Sequence, residues 1–319
     1  MKNTLTRIAV LIPCYNEAVT IAKVIRDFRA SLPDAIIYVY DNNSKDETLA
    51  AARTAGAIVR REMLQGKGYV VRRMFADIEA DIYVLVDGDD TYEAADAAGM
   101  VTMLIDEQLD MVNGARVTDI KAAYRPGHRL GNAVLTGMVQ QIFGNRVTDM
   151  LSGYRVFSRR FVKSFPALSS GFETETEFTV HALELGMPVG EVSTTYRDRP
   201  EGSASKLRTY IDGVRILRTI ITLVKEERPL QFFSLIGLIL LVVGLTLGVP
   251  VIFEFLQTKL VPRLPSAVLA VGLVVLSFLC LVCGLILDSV TRGRKEVKRL
   301  AYLASPAVSP GLIELRKAG

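Results

Sequence analysis

Cysteine and net charge are both scarce in this sequence of 319 residues. Two of the three cysteines, Cys280 and Cys283, form a C-x-x-C pattern, but it lies inside an apolar run and has no second pair. We therefore assign these cysteines to packing rather than to zinc or redox chemistry, and no disulfide framework is indicated. The net charge of +4 is too small to indicate nucleic acid as a partner.

The N-terminus also lacks the features of a secretory signal. The segment from Met1 to Arg7 precedes a short apolar run that has neither the length nor the cleavage site of a signal peptide. We therefore expect the main domain to stay in the cytosol. Hydrophobic residues, in contrast, make up 50% of the chain and concentrate between Phe232 and Leu287. This uneven distribution predicts a mixed soluble and membrane architecture.

Aliphatic runs alternate with amphipathic segments through the first half of the chain. The runs lie at 8–12, 36–40, 58–59 and 82–86, and the amphipathic segments lie at 18–29, 46–55 and 68–78. This alternation predicts an α/β fold with a parallel sheet covered on both faces. Further strands are predicted at 111–115 and 189–196, and a further helix around 178–185.

Parallel sheets of this kind bind ligands beyond the carboxyl ends of their strands. Three of the predicted strands end in polar residues, and we expect these to meet in one crevice. They are Asn16 and Glu17, then Asp41, Asn42 and Asn43, then Asp87, Asp89 and Asp90.

Two segments predict membrane spans. Residues 232–253 and 267–287 carry no charge, and each is long enough to cross a hydrocarbon core of about 30 Å. Basic residues flank the pair on both sides, which places both flanks in the cytoplasm by the positive-inside rule. The alternative is a helical hairpin buried in a soluble protein.

The segment just before the first span, residues 207–225, predicts a basic amphipathic helix. Its apolar stripe and basic remainder are typical of a helix that lies along the lipid headgroups. An ordinary helix packed on the main domain is the alternative.

The Asp-x-Asp motif formed by Asp87 and Asp89 follows a predicted strand. Two carboxylates with this spacing can share a hard divalent cation that keeps open positions for phosphate oxygens. Such a cation would neutralise a departing diphosphate. Alone the motif is common in turns, but its position beside two other polar strand ends makes it a candidate metal site.

Six short motifs stand out in the chain. They run from Ile12 to Glu17, from Asp41 to Thr48, from Gln65 to Gly68, from Asp87 to Asp89, from Ser152 to Arg155 and from Arg199 to Leu207. The first four resemble family 2 glycosyltransferases with a GT-A fold, and the last two narrow the resemblance to the polyprenyl-phosphate branch. The resemblance covers residues 7–207. That branch includes dolichyl-phosphate mannose synthases and bacterial undecaprenyl-phosphate glucosyltransferases.

The resemblance implies a set of donor-binding residues: Pro13, Tyr15, Glu17, Asp41, Lys67 and Asp87. Glu17 would lie near the ribose and Asp41 would accept a hydrogen bond from the base. Lys67 would lie near the donor, although a lysine between glycines could equally belong to a turn. Asp87 and Asp89 would hold Mg²⁺ or Mn²⁺, with Asp89 the more direct ligand. Thr91 stands where some relatives carry a further metal ligand, which leaves the coordination shell open.

An acceptor phosphate needs cations and hydroxyls, and a guanidinium matches phosphate by geometry. The candidates are Arg116, Arg129, Ser152, Arg155, Arg199 and Lys206, and of these Arg116 and Arg129 could instead be solvated surface residues. A phosphomonoester is mostly dianionic at neutral pH, so it can attack without a strong base. We therefore interpret Glu175 as a contact to sugar or acceptor, and assign catalysis to Asp89, Glu175 and Arg199. The alternative for Glu175 is an exposed face before a helix.

The sequence thus predicts a catalytic domain at 1–206, a juxtamembrane helix at 207–230, a transmembrane hairpin at 231–288 and a basic cytoplasmic tail at 289–319. The predicted function is inverting transfer of a sugar, from a UDP-sugar or alternatively GDP-mannose, to a polyprenyl phosphate at the cytoplasmic membrane. Both termini would be cytoplasmic, and a homo-oligomer is left open. A polysaccharide or other glycan acceptor is a further alternative, but processive synthases usually carry a Gln-x-x-Arg-Trp motif, and this chain has no Trp. A non-catalytic membrane scaffold is disfavoured by the intact Asp-x-Asp motif.

Overall fold

The computed structural model of the protein describes residues 6–117, 137, 147–169, 171, 173–197, 222, 225, 226 and 228–308. The strands in these residues are β1 (Ile8–Cys14), β2 (Ile36–Asp41), β3 (Ile58–Arg61), β4 (Ile82–Leu85), β5 (Met111–Val117), β6 (Arg155–Ser158) and β7 (Val189–Thr195). The helices are α1 (Ile21–Ser31), α2 (Thr48–Thr54), α3 (Lys67–Asp77), α4 (Asp96–Asp106), α5 (Arg159–Ser164), α6 (Thr174–Glu184), α7 (Pro229–Thr258) and α8 (Leu264–Leu303).

The strands form one mixed sheet in the order β3-β2-β1-β4-β6-β5-β7. β1 pairs in parallel with β2 and β4, and β2 pairs in parallel with β3. β6 is antiparallel to both of its neighbours, β4 and β5. The parallel strands were predicted, but β6 was not, because four residues that follow a loop give too short a pattern to be recognised.

Both faces of the sheet are covered. Val84 and Val156 belong to an apolar core that also contains residues of α1 and α4. The next residues along, Tyr83 and Phe157, point to the opposite face. There Phe75 of α3 packs edge-on against both rings, and Phe157 also contacts aromatic residues of α5 and α6. The predicted α/β fold with helices on both faces of the sheet is therefore confirmed, but the sheet is mixed rather than parallel because β6 runs antiparallel to its neighbours.

The chain divides into two compact units, one made of Met1–Ile216 with Lys298–Gly319 and one made of Leu217–Val297. In the first unit, the last turns of α8 contact the sheet and its helices. Lys298 pairs with Glu184 at 2.7 Å, and the Tyr302 hydroxyl donates to Asp110 at 2.9 Å. Residues 298–303, predicted as part of a basic tail, are therefore helical and packed.

In the second unit, α7 and α8 are long and apolar enough to cross a membrane. Their buried positions recur every seven residues: Gly237, Gly244 and Val251 on α7, and Ala270, Ser277, Gly284 and Thr291 on α8. Small side chains at this spacing let two helices approach closely. In the most apolar stretch of each helix, only 17% of the residues are buried. This argues against the alternative of a helical hairpin buried in a soluble protein, and it indicates membrane association. The predicted helix at 207–225 lies outside the described residues apart from 222 and 225.

Candidate active site

Three loops meet at the carboxyl edge of the sheet, following β1, β2 and β4. The backbone N–H of Asn16 donates to the Ser44 hydroxyl at 2.8 Å, which joins the first loop to the second. The Thr20 hydroxyl donates to the Gly88 carbonyl at 2.7 Å, which joins the first to the third. The polar strand ends thus converge, because parallel strands bring their carboxyl ends to the same edge.

An ionic cluster with a half-buried Asp87 occupies this edge. The Lys67 ammonium, in the first turn of α3, lies 2.5 Å from Asp87 Oδ1 and 2.6 Å from Glu175 Oε1. Burial opposes the charge on Lys67, but the two carboxylates outweigh it and hold the pKa of Lys67 above its usual value. Lys67 therefore belongs to the site and is more than a turn residue.

Glu175 stands in the first turn of α6 and is buried. Burial raises the pKa of Glu175, although the Lys67 ammonium opposes that shift. Its second oxygen, Oε2, has no hydrogen-bond partner among the described residues. The alternative of an exposed face is therefore wrong for Glu175. The neighbouring Glu177 accepts the backbone N–H groups of Leu168 and Ser169 at 2.9 and 3.0 Å, so it holds the preceding loop.

Asp89 is buried beside the cluster, and Thr91 fixes its orientation. The Thr91 hydroxyl donates to Asp89 Oδ1 at 2.6 Å, and the Thr91 backbone N–H approaches the same oxygen at 3.3 Å. Thr91 is itself buried. In this structure Thr91 therefore supports Asp89. The resemblance had placed Thr91, a poorer ligand, where some relatives carry a further metal ligand.

Asn42 shapes the loop that delivers Lys67, and sequence reasoning assigned it no role. Its side-chain N–H groups donate to the carbonyls of Glu62 and Leu64, and its Oδ1 accepts the Gly66 backbone N–H at 2.7 Å. Gly66 has φ of 142°, a backbone conformation that residues other than glycine rarely adopt. In the sequence, the signal for this role of Asn42 was its position directly after the end of a predicted strand.

The residues predicted to contact a nucleoside lie at the ends of β1 and β2 and just beyond β1. Pro13 and Tyr15 are half-buried at the end of β1 and just beyond it, and Glu17 is buried with its backbone N–H donating to the Thr48 hydroxyl at 2.8 Å. Asp41 is fully buried, and Arg61 Nε lies 3.3 Å from its Oδ2. Arg61 therefore engages one oxygen of Asp41. The sequence signal for this contact was a basic residue at the end of β3.

Two residues predicted at the acceptor phosphate lie in the interior, which corrects that assignment. The Ser152 hydroxyl donates to the Gly114 carbonyl at 2.5 Å. The Arg155 guanidinium donates to the Ser152 and Met150 carbonyls at 3.1 and 2.7 Å and to the Thr179 hydroxyl at 2.8 Å. Burial lowers the pKa of Arg155 to about 10. Both side chains serve the junction before β6 and face no open surface.

The remaining acceptor candidates are not brought together by the described residues. Arg129, Arg199 and Lys206 lie outside them. Arg116 makes a two-point ion pair with Asp149, with Nε to Oδ2 at 2.7 Å and Nη2 to Oδ1 at 2.8 Å. Arg116 is therefore a partnered residue, not the solvated surface residue of the alternative.

Asp87 and Asp89 suit a divalent cation by their chemistry. Carboxylate oxygens are the ligands that Mg²⁺ prefers, and it is commonly held by one or two carboxylates plus substrate phosphates. In the part of the chain that the structure describes, no group of three or more His, Cys, Asp or Glu side chains converges as a metal site. Asp87 and Asp89 are therefore the described carboxylates at this edge whose chemistry fits a divalent cation.

Comparison with known proteins now adds to this geometry. Residues 9–165 match the sequence family described as glycosyl transferase family 2. The glycosyltransferase AglJ of Haloferax volcanii is 34% identical over 303 residues, which cover 93% of this chain and 98% of that protein. The chain belongs to glycosyltransferase family 2.

Other similar proteins extend the comparison for this family 2 glycosyltransferase. A protein of Haloferax volcanii described as a dolichyl-phosphate hexose transferase is 26% identical over 225 residues, covering 70% of this chain and 97% of that protein. Glucosyl-3-phosphoglycerate synthase of Mycobacterium tuberculosis, solved with Mn²⁺, UDP-glucose and phosphoglyceric acid, matches with a TM-score of 0.55 and 24% identity. This match covers 69% of this chain and 79% of that one. It confirms the predicted GT-A fold.

Proposed function

We propose that this glycosyltransferase moves a hexose from a UDP-sugar to a polyprenyl phosphate at the cytoplasmic face of a membrane, with inversion at the anomeric carbon. The observation that carries the proposal is the ionic cluster of Lys67, Asp87 and Glu175 beside Asp89, in a chain that also holds two exposed apolar helices. The relative described as a dolichyl-phosphate hexose transferase supports a lipid phosphate as acceptor.

Asp89, oriented by Thr91, and Asp87 would hold Mg²⁺ or Mn²⁺. When bound, the cation neutralises charge that develops on the leaving diphosphate. A uridine donor is supported by the UDP-glucose of the structural neighbour, whose GT-A fold this chain shares. Pro13, Tyr15 and Glu17 surround the start of α1 and would contact the nucleoside. Asp41 would accept a hydrogen bond from the base, with Arg61 beside its Oδ2.

The chain's own residues then act by positioning and by charge. The acceptor phosphate is mostly dianionic at neutral pH, so one of its oxygens can attack the anomeric carbon while the bond to the diphosphate oxygen breaks. No proton has to be removed from the acceptor. Glu175 therefore has no need to act as a base, and its contact with Lys67 makes it a positioning residue. Lys67 contributes positive charge beside the diphosphate.

The acceptor side rests on residues outside the described ranges. Arg199 and Lys206 remain our proposed ligands of the lipid phosphate, with Arg129 as a further one. Basic residues before α7 and along the end of α8 support placement of the catalytic unit and both termini in the cytoplasm. A long-chain lipid phosphate stays in the bilayer, so its headgroup would be met at that surface.

A donor screen tests this proposal. The full-length protein in membranes is supplied with UDP-sugars and with GDP-mannose, together with undecaprenyl or dolichyl phosphate, and the lipid product is identified by mass. We expect a polyprenyl-phosphate hexose from a UDP-sugar and none from GDP-mannose. A product from GDP-mannose alone would replace the donor assignment. No lipid product from any donor, with sugar appearing on a glycan instead, would overturn the acceptor assignment.

A further inference from the structure

Lys67 engages a carboxylate that the proposed divalent cation needs. Its ammonium lies 2.5 Å from Asp87 Oδ1 and 2.6 Å from Glu175 Oε1. The Lys67 side chain is 10% exposed and that of Glu175 is 5% exposed, so water screens their attraction only weakly. The Asp87 side chain is 30% exposed, so water screens its attraction to Lys67 more strongly. Oδ1 of Asp87 is nevertheless engaged by a cation that belongs to the chain.

Carboxylates outnumber ammonium groups among the described residues of this cluster, because Asp87, Asp89 and Glu175 lie with Lys67 alone. Lys67 is shared between Asp87 and Glu175, so a divalent cation that approaches Asp87 meets the ammonium as a like charge. A nucleoside diphosphate brings negative charge that attracts both the cation and Lys67. Cation binding at Asp87 should therefore be easier when a diphosphate is present.

The surroundings of Asp87 determine which group can move. A Cβ added to Gly153 would lie 2.3 Å from Asp87 Oδ2, so the backbone at Gly153 closes that side of the carboxylate. Asp87 cannot swing away from Lys67 in that direction. Lys67 has another place to go, because Glu175 Oε2 is buried and has no hydrogen-bond partner among the described residues. Lys67 can leave Asp87 and remain attached to Glu175.

We propose that Lys67 is a built-in counterion that blocks Asp87 against divalent cations until the donor binds. Its ammonium then moves from Asp87 to the donor diphosphate while Glu175 retains it. This inference rests on the proposed nucleotide-diphosphate donor and deepens it. It makes Glu175 the positioning residue for the exchange, and it makes cation binding and donor binding depend on one another.

Metal binding can be measured without any sugar transfer. The full chain, purified in detergent micelles, is titrated with Mn²⁺ and free Mn²⁺ is followed by electron paramagnetic resonance, with and without UDP. For the wild type we expect weak Mn²⁺ binding that UDP tightens strongly. For Lys67→Met we expect Mn²⁺ to bind about tenfold more tightly without UDP, because a competing charge is removed. UDP should then add little.

Two variants separate this role from a general charge effect. Lys23→Met removes an ammonium that pairs with Asp90 at 2.7 Å in the same loop, and it should leave Mn²⁺ affinity unchanged within about twofold. Lys67→Arg keeps a cation beside Asp87 and should bind Mn²⁺ as weakly as the wild type without UDP. Equal tightening in Lys67→Met and Lys23→Met would overturn the specific role of Lys67.

A further variant guards against loss of folding in Lys67→Met. Glu175→Gln removes the anchor but leaves Lys67 beside Asp87, so Mn²⁺ binding should stay weak and UDP should no longer tighten it. Unchanged Mn²⁺ affinity in Lys67→Met, or unchanged tightening by UDP in Glu175→Gln, contradicts the inference alone. A wild type that binds no Mn²⁺ with UDP or GDP present contradicts the proposed metal site itself, and the inference with it.

Discussion

In the sheet unit the large apolar side chains are buried and several charged ones are buried with them, whereas in the helical hairpin the buried positions are small. Asp89, Glu175 and Arg155 each lie inside the sheet unit, and Lys67 and Thr179 are among their partners. In the hairpin, glycine, alanine and serine face the other helix, and leucine, valine and isoleucine are exposed along α7 and α8.

The difference follows from the solvent that each unit meets. Water drives large apolar groups inward, and a charge can follow them only when partners replace its lost hydration. Lipid exerts no such drive on apolar side chains, so two helices associate through close contact at small residues. The comparison is therefore tested by mutations that remove a buried polar or charged group from the sheet unit, and by mutations that enlarge a small residue between the two helices.

The largest expected effect is on the rate of sugar transfer, and it comes from removing the buried charge of Asp89. Asp89→Asn keeps an oxygen for the Thr91 hydroxyl but removes a metal ligand, so we expect sugar transfer to fall about 10³-fold with little change in thermal midpoint. Transfer rates and thermal unfolding of the purified protein measure both quantities. Asp110→Asn is the control, because Asp110 is buried against Arg160 and Tyr302. It should lower stability but leave the folded enzyme active. Full activity in Asp89→Asn would contradict the metal assignment.

The next largest effect concerns the close contact between α7 and α8, which we call the hairpin seam. A Cβ at Gly244 would meet a methyl group of Val274 at 3.0 Å and the Ala270 carbonyl at 3.2 Å, whereas a Cβ at Gly272 would meet nothing within 4 Å. Gly244→Leu should therefore destabilise the hairpin by up to about 3 kcal/mol. Gly272→Leu, on the exposed side of the same helix pair, should be neutral. Unfolding by sodium dodecyl sulfate in mixed micelles measures the difference, and equal effects would show that the seam is placed wrongly.

A buried histidine gives the sheet unit a pH dependence. Burial, with a smaller contribution from Lys298, lowers the pKa of His181 to about 3. In the unfolded chain its pKa returns to about 6.5, so between these values the unfolded state binds the proton and stability falls as pH falls. From pH 7 to pH 5 this costs about 2 kcal/mol. His181→Gln should flatten that slope in urea unfolding, and an unchanged slope would contradict the assignment to His181.

The smallest effect concerns a single hydrogen bond. Tyr302→Phe removes the bond that the Tyr302 hydroxyl donates to Asp110, and should cost about 1 kcal/mol of unfolding free energy. Tyr154→Phe is the matched control, because the buried Tyr154 hydroxyl has no hydrogen-bond partner among the described residues. Its loss should be neutral or slightly stabilising. A loss in Tyr302→Phe that is no greater than the loss in Tyr154→Phe would contradict the hydrogen bond from Tyr302 to Asp110.

The sequence was informative wherever a pattern is local. Alternating aliphatic runs predicted β1 to β5 and β7, and the Asp-x-Asp motif marked the end of β4. Long uncharged stretches predicted α7 and α8. Each of these follows from the period of side chains along one element or from its composition, and no distant part of the chain alters them.

The roles of individual polar residues depended on contacts that no local pattern contains. Ser152 and Arg155 match a family motif, yet their hydrogen bonds run to the Gly114 carbonyl and to Thr179, which turns both residues inward. Lys67 and Glu175 stand on different helices, and only packing of α3 beside α6 brings their charges together.

The sequence by itself therefore determined most of the strands, the polar edge of the sheet and the apolar character of the two C-terminal helices, because propensity, periodicity and composition are local. Only the tertiary structure decided which carboxylate pairs with Lys67, that Thr91 supports Asp89, and that the end of α8 packs on the sheet unit. Charged and hydrogen-bonding groups have many acceptable partners, and the choice among them is made by the distances that the whole fold imposes.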